Sequence, residues 1–150
     1  MNFQYTEECE DPVHIIELNI TQRKYNRTTH VLDFTLNTPY GYGDFMTTEL
    51  QGAVKKQGGY KPGVANIKGP ACSLLYVLMG DILPAILNGA GVTDCPLPPG
   101  NYSLLNFYFN HEIYNVPQLY GEYRTKVMYF IETKMVMCKY LYYEMVPRSQ

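Results

Sequence analysis

The chain has 150 residues and a formal net charge of −2, with positive and negative side chains mixed along its length. We expect residues 1–150 to form one domain, which would bury about 70% of its unfolded surface and need no metal to support its core. Because there is no basic stripe or charged tail, nucleic acid is not expected as a partner, and no apolar run is long enough to cross a bilayer.

Alternating apolar and polar residues predict β-strands in the first half of the chain. From His14 to Thr21 the alternation places Ile16, Leu18 and Ile20 on one face. Further strands are predicted at residues 31–36 and, less regularly, at 44–54, followed by a short segment that ends at residue 67. Stretches rich in glycine and proline at residues 37–43 and 57–63 predict turns or loops between them.

Residues 72–87 have the periodicity of a helix. Their apolar residues recur at helical spacings and comprise Leu74, Leu75, Val77, Leu78, Ile82, Leu83, Ile86 and Leu87. Gly80 and Pro84 interrupt the pattern, because a proline inside a helix removes a backbone hydrogen bond and clashes with the preceding turn. We therefore expect one kinked helical segment or two short helices, ending within residues 88–91.

The last third of the chain again predicts strands. Residues 101–109 are rich in tyrosine and phenylalanine, which favour strands. Residues 123–132 and 135–146 alternate with a period of two and predict a hairpin joined around Thr133 and Lys134. Several short strands with one helical segment indicate a mainly β fold, an antiparallel β-sandwich or β-cup.

Cysteines and glycosylation sequons indicate the compartment. The four cysteines lack metal-binding spacing and are Cys9, Cys72, Cys95 and Cys138. Three asparagines begin Asn-x-Ser/Thr sequons without proline in the middle: Asn19, Asn26 and Asn101. Together these features predict a disulfide-bonded glycoprotein that is secreted or resides in the lysosomal lumen. Four cysteines allow three pairings, so the pattern alone leaves the pairing open.

No catalytic motif is present. The chain lacks the nucleophile elbow, the zinc-protease helix motif, the phosphate-binding loop and the dinucleotide fingerprint. His14, His30 and His111 are scattered, so solvated or capping histidines are a simpler interpretation than a metal site. Asp81 and Glu112 could act as acid–base groups, but nothing places a nucleophile near them. We therefore predict a protein that is not an enzyme, with no metal site and no cofactor.

Two segments resemble known lipid-binding families. The sequence CPLPPGNYSL, from Cys95 to Leu104, resembles the ganglioside activator family of lysosomes, which has Cys-Pro followed by Gly-x-Tyr-x-Leu where a strand begins. Matches to this family continue from Pro117 to Cys138 and include Cys9 with the strand that follows it. The middle of the chain, from YKP at residues 60–62 to Cys72 and its helix, is similar to an insect family that includes the CheB contact-chemosensory proteins. Both families belong to a wider group of ML-type lipid-recognition domains.

This resemblance implies a β-cup, in which two sheets splay open around an apolar cavity with the helix and loops at its rim. It also implies the disulfides Cys9–Cys138 and Cys72–Cys95. The activator family has further cysteines around the connection from helix to strand, and this chain lacks them.

A set of apolar residues is predicted to line such a cavity. They are Leu74, Leu78, Ile82, Leu83, Ile86, Phe107, Phe109, Val127, Tyr129, Ile131 and Met137. Periodicity alone favours a solid core for these residues, because apolar faces usually pack closely. The resemblance favours a cavity instead.

The loop from Val116 to Tyr120 is unusually apolar for a connection between strands. Its residues Val116, Pro117, Leu119 and Tyr120 match a loop that lies at the cavity mouth and contacts lipid in the resembling family. The alternative interpretation is an ordinary buried connection.

The resemblance implies a secreted, non-enzymatic carrier that binds a lipid or other hydrophobic ligand, such as a glycolipid, phospholipid or lipid pheromone. Such a carrier would contact membrane surfaces transiently and present its ligand to a receptor or a lipid-processing enzyme. The alternative is a solid-cored extracellular interaction protein that binds a receptor or channel without a lipid.

Overall fold

The structure, a computed structural model, describes residues 2–13, 15–108 and 120–145. It is mainly β, as predicted, with eight strands and two helices among the described residues. The strands are β1 Asn2–Glu8, β2 Glu17–Lys24, β3 His30–Thr38, β4 Met46–Lys56, β5 Gly59–Pro70, β6 Gly100–Phe107, β7 Gly121–Ile131 and β8 Lys134–Met145. The helices are α1 Ala71–Met79 and α2 Ile82–Gly89.

The strands form two antiparallel sheets, consistent with a β-sandwich. The five-stranded sheet has the order β1-β8-β7-β4-β5, and the three-stranded sheet has the order β2-β3-β6.

Hairpins set much of the register. β7 and β8 are joined by Glu132 and Thr133, one residue earlier than predicted, and Glu132 has a φ of 56°. A positive φ in a two-residue turn matches the twist of the strands that it joins.

Strand alternation turns one face of each sheet inward. On the five-stranded sheet, Thr48 and Leu50 of β4 lie opposite Tyr129 and Val127 of β7. At one end the two sheets meet closely, where Ile16, Met46, Val136 and Met137 are no more than 1% exposed. The Ile16 amide donates a hydrogen bond of 2.9 Å to the carbonyl of Val136, which joins the start of β2 to β8. We call this region the closed end.

The predicted helical segment forms two helices. The break falls at Gly80, which has a φ of 55°, and at Asp81, so it precedes Pro84. Pro84 is instead the third residue of α2, in the first turn, where an amide has no intrahelical partner to lose. The proline is therefore compatible with a regular second helix.

Side-chain hydrogen bonds hold α1 against neighbouring loops. The Asp44 carboxylate accepts hydrogen bonds from the Ser73 amide at 2.9 Å and the Ser73 hydroxyl at 2.6 Å, and these bonds lower the pKa of Asp44. One turn later, the Tyr76 hydroxyl donates to Asp94, whose carboxylate also accepts from the Cys95 amide. These contacts fix α1 relative to β4 and to the segment that leads into β6.

Both disulfides implied by the resemblance are present. Cys9–Cys138 ties the residue after β1 to β8, with 5.8 Å between the Cα atoms. Cys72–Cys95 links the first turn of α1 to the segment before β6, with a Cα distance of 6.3 Å. No free cysteine remains. The first bridge packs beside Met128 in a small apolar cluster, and the second lies at the edge of the main core.

Because the two disulfides close loops of different length, removing them should lower the free energy of unfolding by different amounts. The sequence separations are 129 residues for Cys9–Cys138 and 23 for Cys72–Cys95. On the chain-entropy account, replacing both cysteines of the longer loop by serine should lower the unfolding free energy by about 5 kcal/mol, against about 3.5 kcal/mol for the shorter loop. Urea unfolding of the two double variants measures the difference. Equal losses of unfolding free energy, or a larger loss for the shorter loop, would contradict the chain-entropy account of these disulfides.

Candidate functional site

An apolar pocket of about 400 Å³ lies between the inner faces of the two sheets and the helices. Three groups of residues line it. From the five-stranded sheet they are Phe3, Thr48, Leu50, Gly52, Ala65, Ile67, Thr125, Val127, Tyr129, Leu141 and Tyr143; from the three-stranded sheet, Leu18, Ile20, Leu32, Phe34, Leu36, Tyr102, Ser103 and Leu104. The helices and connecting segments add Tyr42, Ala71, Leu74, Leu75, Leu78, Met79, Leu83, Ile86, Leu87, Ala90, Cys95 and Leu97.

The walls of this pocket differ from the closed end in how deeply their side chains are buried. Along the inward face of β4, Met46 is 0% exposed, Thr48 is 5% exposed, and Leu50 is only partly buried. Leu18 and Leu74 are also partly buried although they line the same pocket. A solid core would cover such side chains, because interiors pack at close to crystal density. The inward side chains are therefore buried more completely at the closed end than along the pocket.

The structure places the predicted cavity residues in two groups. Those that line the pocket are Leu74, Leu78, Leu83, Ile86, Val127 and Tyr129. Those that do not are Ile82, Phe107, Ile131 and Met137. Met137 is fully buried at the closed end and Ile131 packs against the same core, while Phe107 makes an edge-to-face contact with Phe34. Phe109 lies outside the described residues.

Sequence reasoning missed much of the pocket wall. Leu18 and Ile20 share one face of a predicted strand, but the predicted cavity lining does not include them. Leu32, Phe34 and Leu36 show the same period-two signal on β3, and the predicted lining does not include them either. Both strands belong to the smaller sheet, so an alternation test applied to every strand would have found this wall.

The pocket lining includes no charged side chain among the described residues. Its polar groups are hydroxyls. The Tyr42 hydroxyl donates a hydrogen bond of 3.0 Å to the Tyr129 hydroxyl, and the two rings pack edge to face at 5.3 Å. Farther along β7, the Thr125 and Tyr143 hydroxyls lie 2.9 Å apart, within hydrogen-bond distance. A ligand in this pocket would meet hydrocarbon and a few hydroxyls.

Burial keeps the two innermost tyrosines neutral. It raises the pKa of Tyr42 well above the usual 10.0, and the neighbouring Tyr129 adds to the rise. Burial also raises the pKa of Tyr129. The Thr48 hydroxyl lies close enough to Tyr42 to offset part of the rise in the Tyr42 pKa. The geometry between them falls short of a hydrogen bond, and no other described residue provides a partner for the Thr48 oxygen.

The predicted mouth loop lies mostly outside the described residues. Val116, Pro117 and Leu119 are among those not described. Tyr120, directly before β7, is 67% exposed. Contact between this loop and lipid stays a prediction.

All three sequon asparagines are exposed. Asn19 is on the polar face of β2, where its side-chain oxygen accepts a hydrogen bond from Lys139 at 3.2 Å. Asn26 is in a tight turn, and its oxygen accepts from the Thr28 and Thr29 amides. Asn101 is near the start of β6. Their glycosylation stays a prediction.

Within the described ranges, no three histidine, cysteine or acidic residues gather as metal ligands would, and neither helix is long and apolar enough to span a membrane. A scan against models of known protein families finds none that matches the chain, and a search of curated proteins also finds no match.

The buried tyrosines predict a dependence of stability on alkaline pH. A raised pKa in the folded state gives stability that is complete below pH 10 and is lost as the pH rises, because the unfolded chain ionises first. For Tyr42 this loss takes place as the pH rises from 10 to 11 and beyond, because burial raises its pKa in the folded state. Urea unfolding at both pH values should show a smaller decline for Tyr42→Phe than for wild type. Tyr25→Phe, at a site 61% exposed, is the control. An identical decline in all three proteins would contradict the burial of this hydroxyl.

Proposed function

We propose that the protein is a secreted, non-enzymatic carrier that holds a lipid or other hydrophobic ligand in the pocket between its sheets, with a fold of the β-cup type. The supporting observation is the pocket itself, which has about 400 Å³ of space and no charged side chain among its described lining residues. That volume falls within the range of small-molecule sites, which are mostly apolar with a few polar groups.

Apolar burial supplies enough free energy to retain a hydrocarbon chain. Each buried methylene contributes about 0.8 kcal/mol, so a chain of about ten methylenes gains about 8 kcal/mol before the cost of association. Binding of this kind needs no covalent step and no metal. Selectivity among ligands must then come from the hydroxyls in the pocket and from groups at its rim.

The disulfides support the same proposal. Side chains on the wall of an open pocket lose dispersion contacts that a solid core would provide. The two disulfides offset part of that loss by restricting the unfolded chain. Disulfides are also compatible with an extracellular or lysosomal compartment, as are the exposed asparagines of the three sequons.

The resemblance to the ganglioside activator and insect chemosensory families extends the proposal to transfer. A carrier of this type would contact a membrane briefly and then present its ligand to a receptor or a lipid-processing enzyme. Tyr120, the last residue of the predicted mouth loop, is exposed, and tyrosine suits the boundary between lipid headgroups and acyl chains.

A second candidate function, receptor binding without lipid, is favoured by a different surface. On the other side of β7, the Arg124 guanidinium lies over the rings of Tyr60 at 5.1 Å and Tyr140 at 4.8 Å. Tyr5, which is 51% exposed, stacks on Tyr142 at 4.4 Å. Tyrosine and arginine are enriched at protein interfaces. This surface would serve a receptor whether or not the pocket is filled.

A bulky side chain in the pocket should block binding. Leu50 faces the pocket from β4, and its neighbour Gln51 is exposed on the opposite face of the same strand. Leu50→Trp should weaken binding of 1-N-phenylnaphthylamine, a neutral fluorescent probe, at least about tenfold, because the ring occupies ligand space. Gln51→Trp is the matched control and should bind as wild type does. Circular dichroism checks that both variants fold. If folded Leu50→Trp binds the probe as tightly as wild type does, the proposed site is contradicted.

A further inference from the structure

The inner end of the pocket contains a group of three hydroxyls with unused hydrogen-bonding capacity. Thr48 and Tyr129 face each other across β4 and β7, and Tyr42 reaches them from the segment after β3. Their exposed fractions are 5%, 7% and 4%. All three line the pocket beside the closed end, while most of the surrounding wall is aliphatic.

Thr48 differs from the other two members of this group because its hydroxyl lacks a hydrogen-bond partner among the described residues. Its hydroxyl oxygen is buried and completes no hydrogen bond with any described residue. A buried polar group without a partner destabilises a folded protein by about 1–3 kcal/mol, and most buried polar groups are paired for this reason. Valine has nearly the same shape as threonine and would avoid this cost. The hydroxyl therefore points to a polar group of a ligand as its partner.

The tyrosine pair also has one hydroxyl hydrogen that is available to donate a hydrogen bond. The bond from Tyr42 to Tyr129 uses one of the two phenolic hydrogens. The Tyr129 hydrogen has no acceptor in the hydrogen bonds found among the described residues. A hydroxyl can donate one bond and accept others, so this group can donate to an incoming oxygen from Tyr129 and also bond it through Thr48.

We propose that Thr48, with Tyr42 and Tyr129, forms a subsite that receives a single uncharged oxygen of an otherwise apolar ligand: a ketone or ester carbonyl, or an alcohol hydroxyl. The inference deepens the proposed function and rests on it. The ligand enters with this oxygen innermost, so that its hydrocarbon part contacts the aliphatic wall.

The chemistry of the lining excludes a charged group at this position. No charged side chain is present among the described lining residues, so a carboxylate or phosphate would be desolvated there without a counterion. Lys139 is a nearby buried cation, but it is not part of the lining and is paired with Glu8 at 3.2 Å. The raised pKa values of Tyr42 and Tyr129 likewise keep both phenols neutral donors at physiological pH.

A second pair of hydroxyls in the same pocket serves as a control for the group around Thr48. Thr125 and Tyr143 lie 2.9 Å apart and can satisfy each other. Thr125 is four residues from Tyr129 along β7, about 13 Å away at the rise of a strand. Removing the Thr125 hydroxyl should therefore weaken recognition of an oxygen bound at Thr48 less than removing the Thr48 hydroxyl does.

The test is displacement of 1-N-phenylnaphthylamine at neutral pH by three molecules of similar length: 2-tridecanone, tridecane and dodecanoate. Wild type should bind the ketone more tightly than dodecanoate. Thr48→Val should weaken ketone binding about tenfold, as loss of a hydrogen bond to a buried group does, and leave tridecane binding unchanged. Thr48→Ser, which keeps the hydroxyl, should bind the ketone as wild type does, and Thr125→Val should weaken ketone binding less than Thr48→Val does.

Thermal unfolding adds an independent measurement. Without ligand, Thr48→Val should melt about 2–4 °C above wild type, because it removes the unpaired hydroxyl. A lower melting temperature would mean that the hydroxyl supports the empty fold, and would overturn its assignment to a ligand.

The outcomes separate the subsite from the carrier function. If wild type binds the probe but Thr48→Val retains full ketone affinity, the subsite is wrong and the carrier proposal stands. Equal ketone losses in Thr48→Val and Thr125→Val would also overturn the subsite, because wall shape alone would explain them. Tighter binding of dodecanoate than of the ketone would overturn the requirement for a neutral oxygen. If wild type binds neither the probe nor any of the three molecules, the proposed function itself fails.

Discussion

The close contact of the two sheets at one end is the constraint on which the rest of the structure depends. There Ile16, Met46 and Val136 exclude solvent almost completely, and a backbone hydrogen bond joins Ile16 to Val136. Beyond this point the inward side chains of β4 become progressively exposed, and the helices α1 and α2 line the space that the strands leave. Close packing at one end can therefore offset the dispersion contacts that the side chains along the pocket lack.

The connections around the pocket follow from that arrangement. Cys72–Cys95 and the hydrogen bonds of Asp44 and Asp94 hold α1 in place, so one wall of the pocket does not depend on dense packing. Lys139, the buried cation nearby, is paired with Glu8 and is not part of the pocket lining. The remaining polarity consists of hydroxyls, which suits a ligand that is apolar and neutral where it is buried.

Several features were predictable from the sequence because they are local. Alternation at Leu18 and Ile20 indicated β2, and helical spacing with a break near Gly80 indicated α1 and α2. Two edge strands were harder to predict from the sequence. β1 has a bulge after Phe3 that disrupts its alternation, and β5 contains Pro62 and Gly63, which an edge strand tolerates. Periodicity also shows which side chains face inward but not how deep they lie, which is why the predicted cavity lining includes Met137, a residue that is fully buried at the closed end. The contact of Tyr42 with Tyr129, 87 residues apart, depends on tertiary folding alone.

The measurement that most directly tests the central claim is native mass spectrometry of the protein purified from a eukaryotic secretory host, followed by organic extraction. The account predicts one noncovalent adduct per chain that the solvent removes and that proves to be a lipid or hydrocarbon derivative. Protein that is empty as purified, and that remains empty after incubation with mixed lipid extracts, would contradict the carrier account and favour a receptor-binding protein.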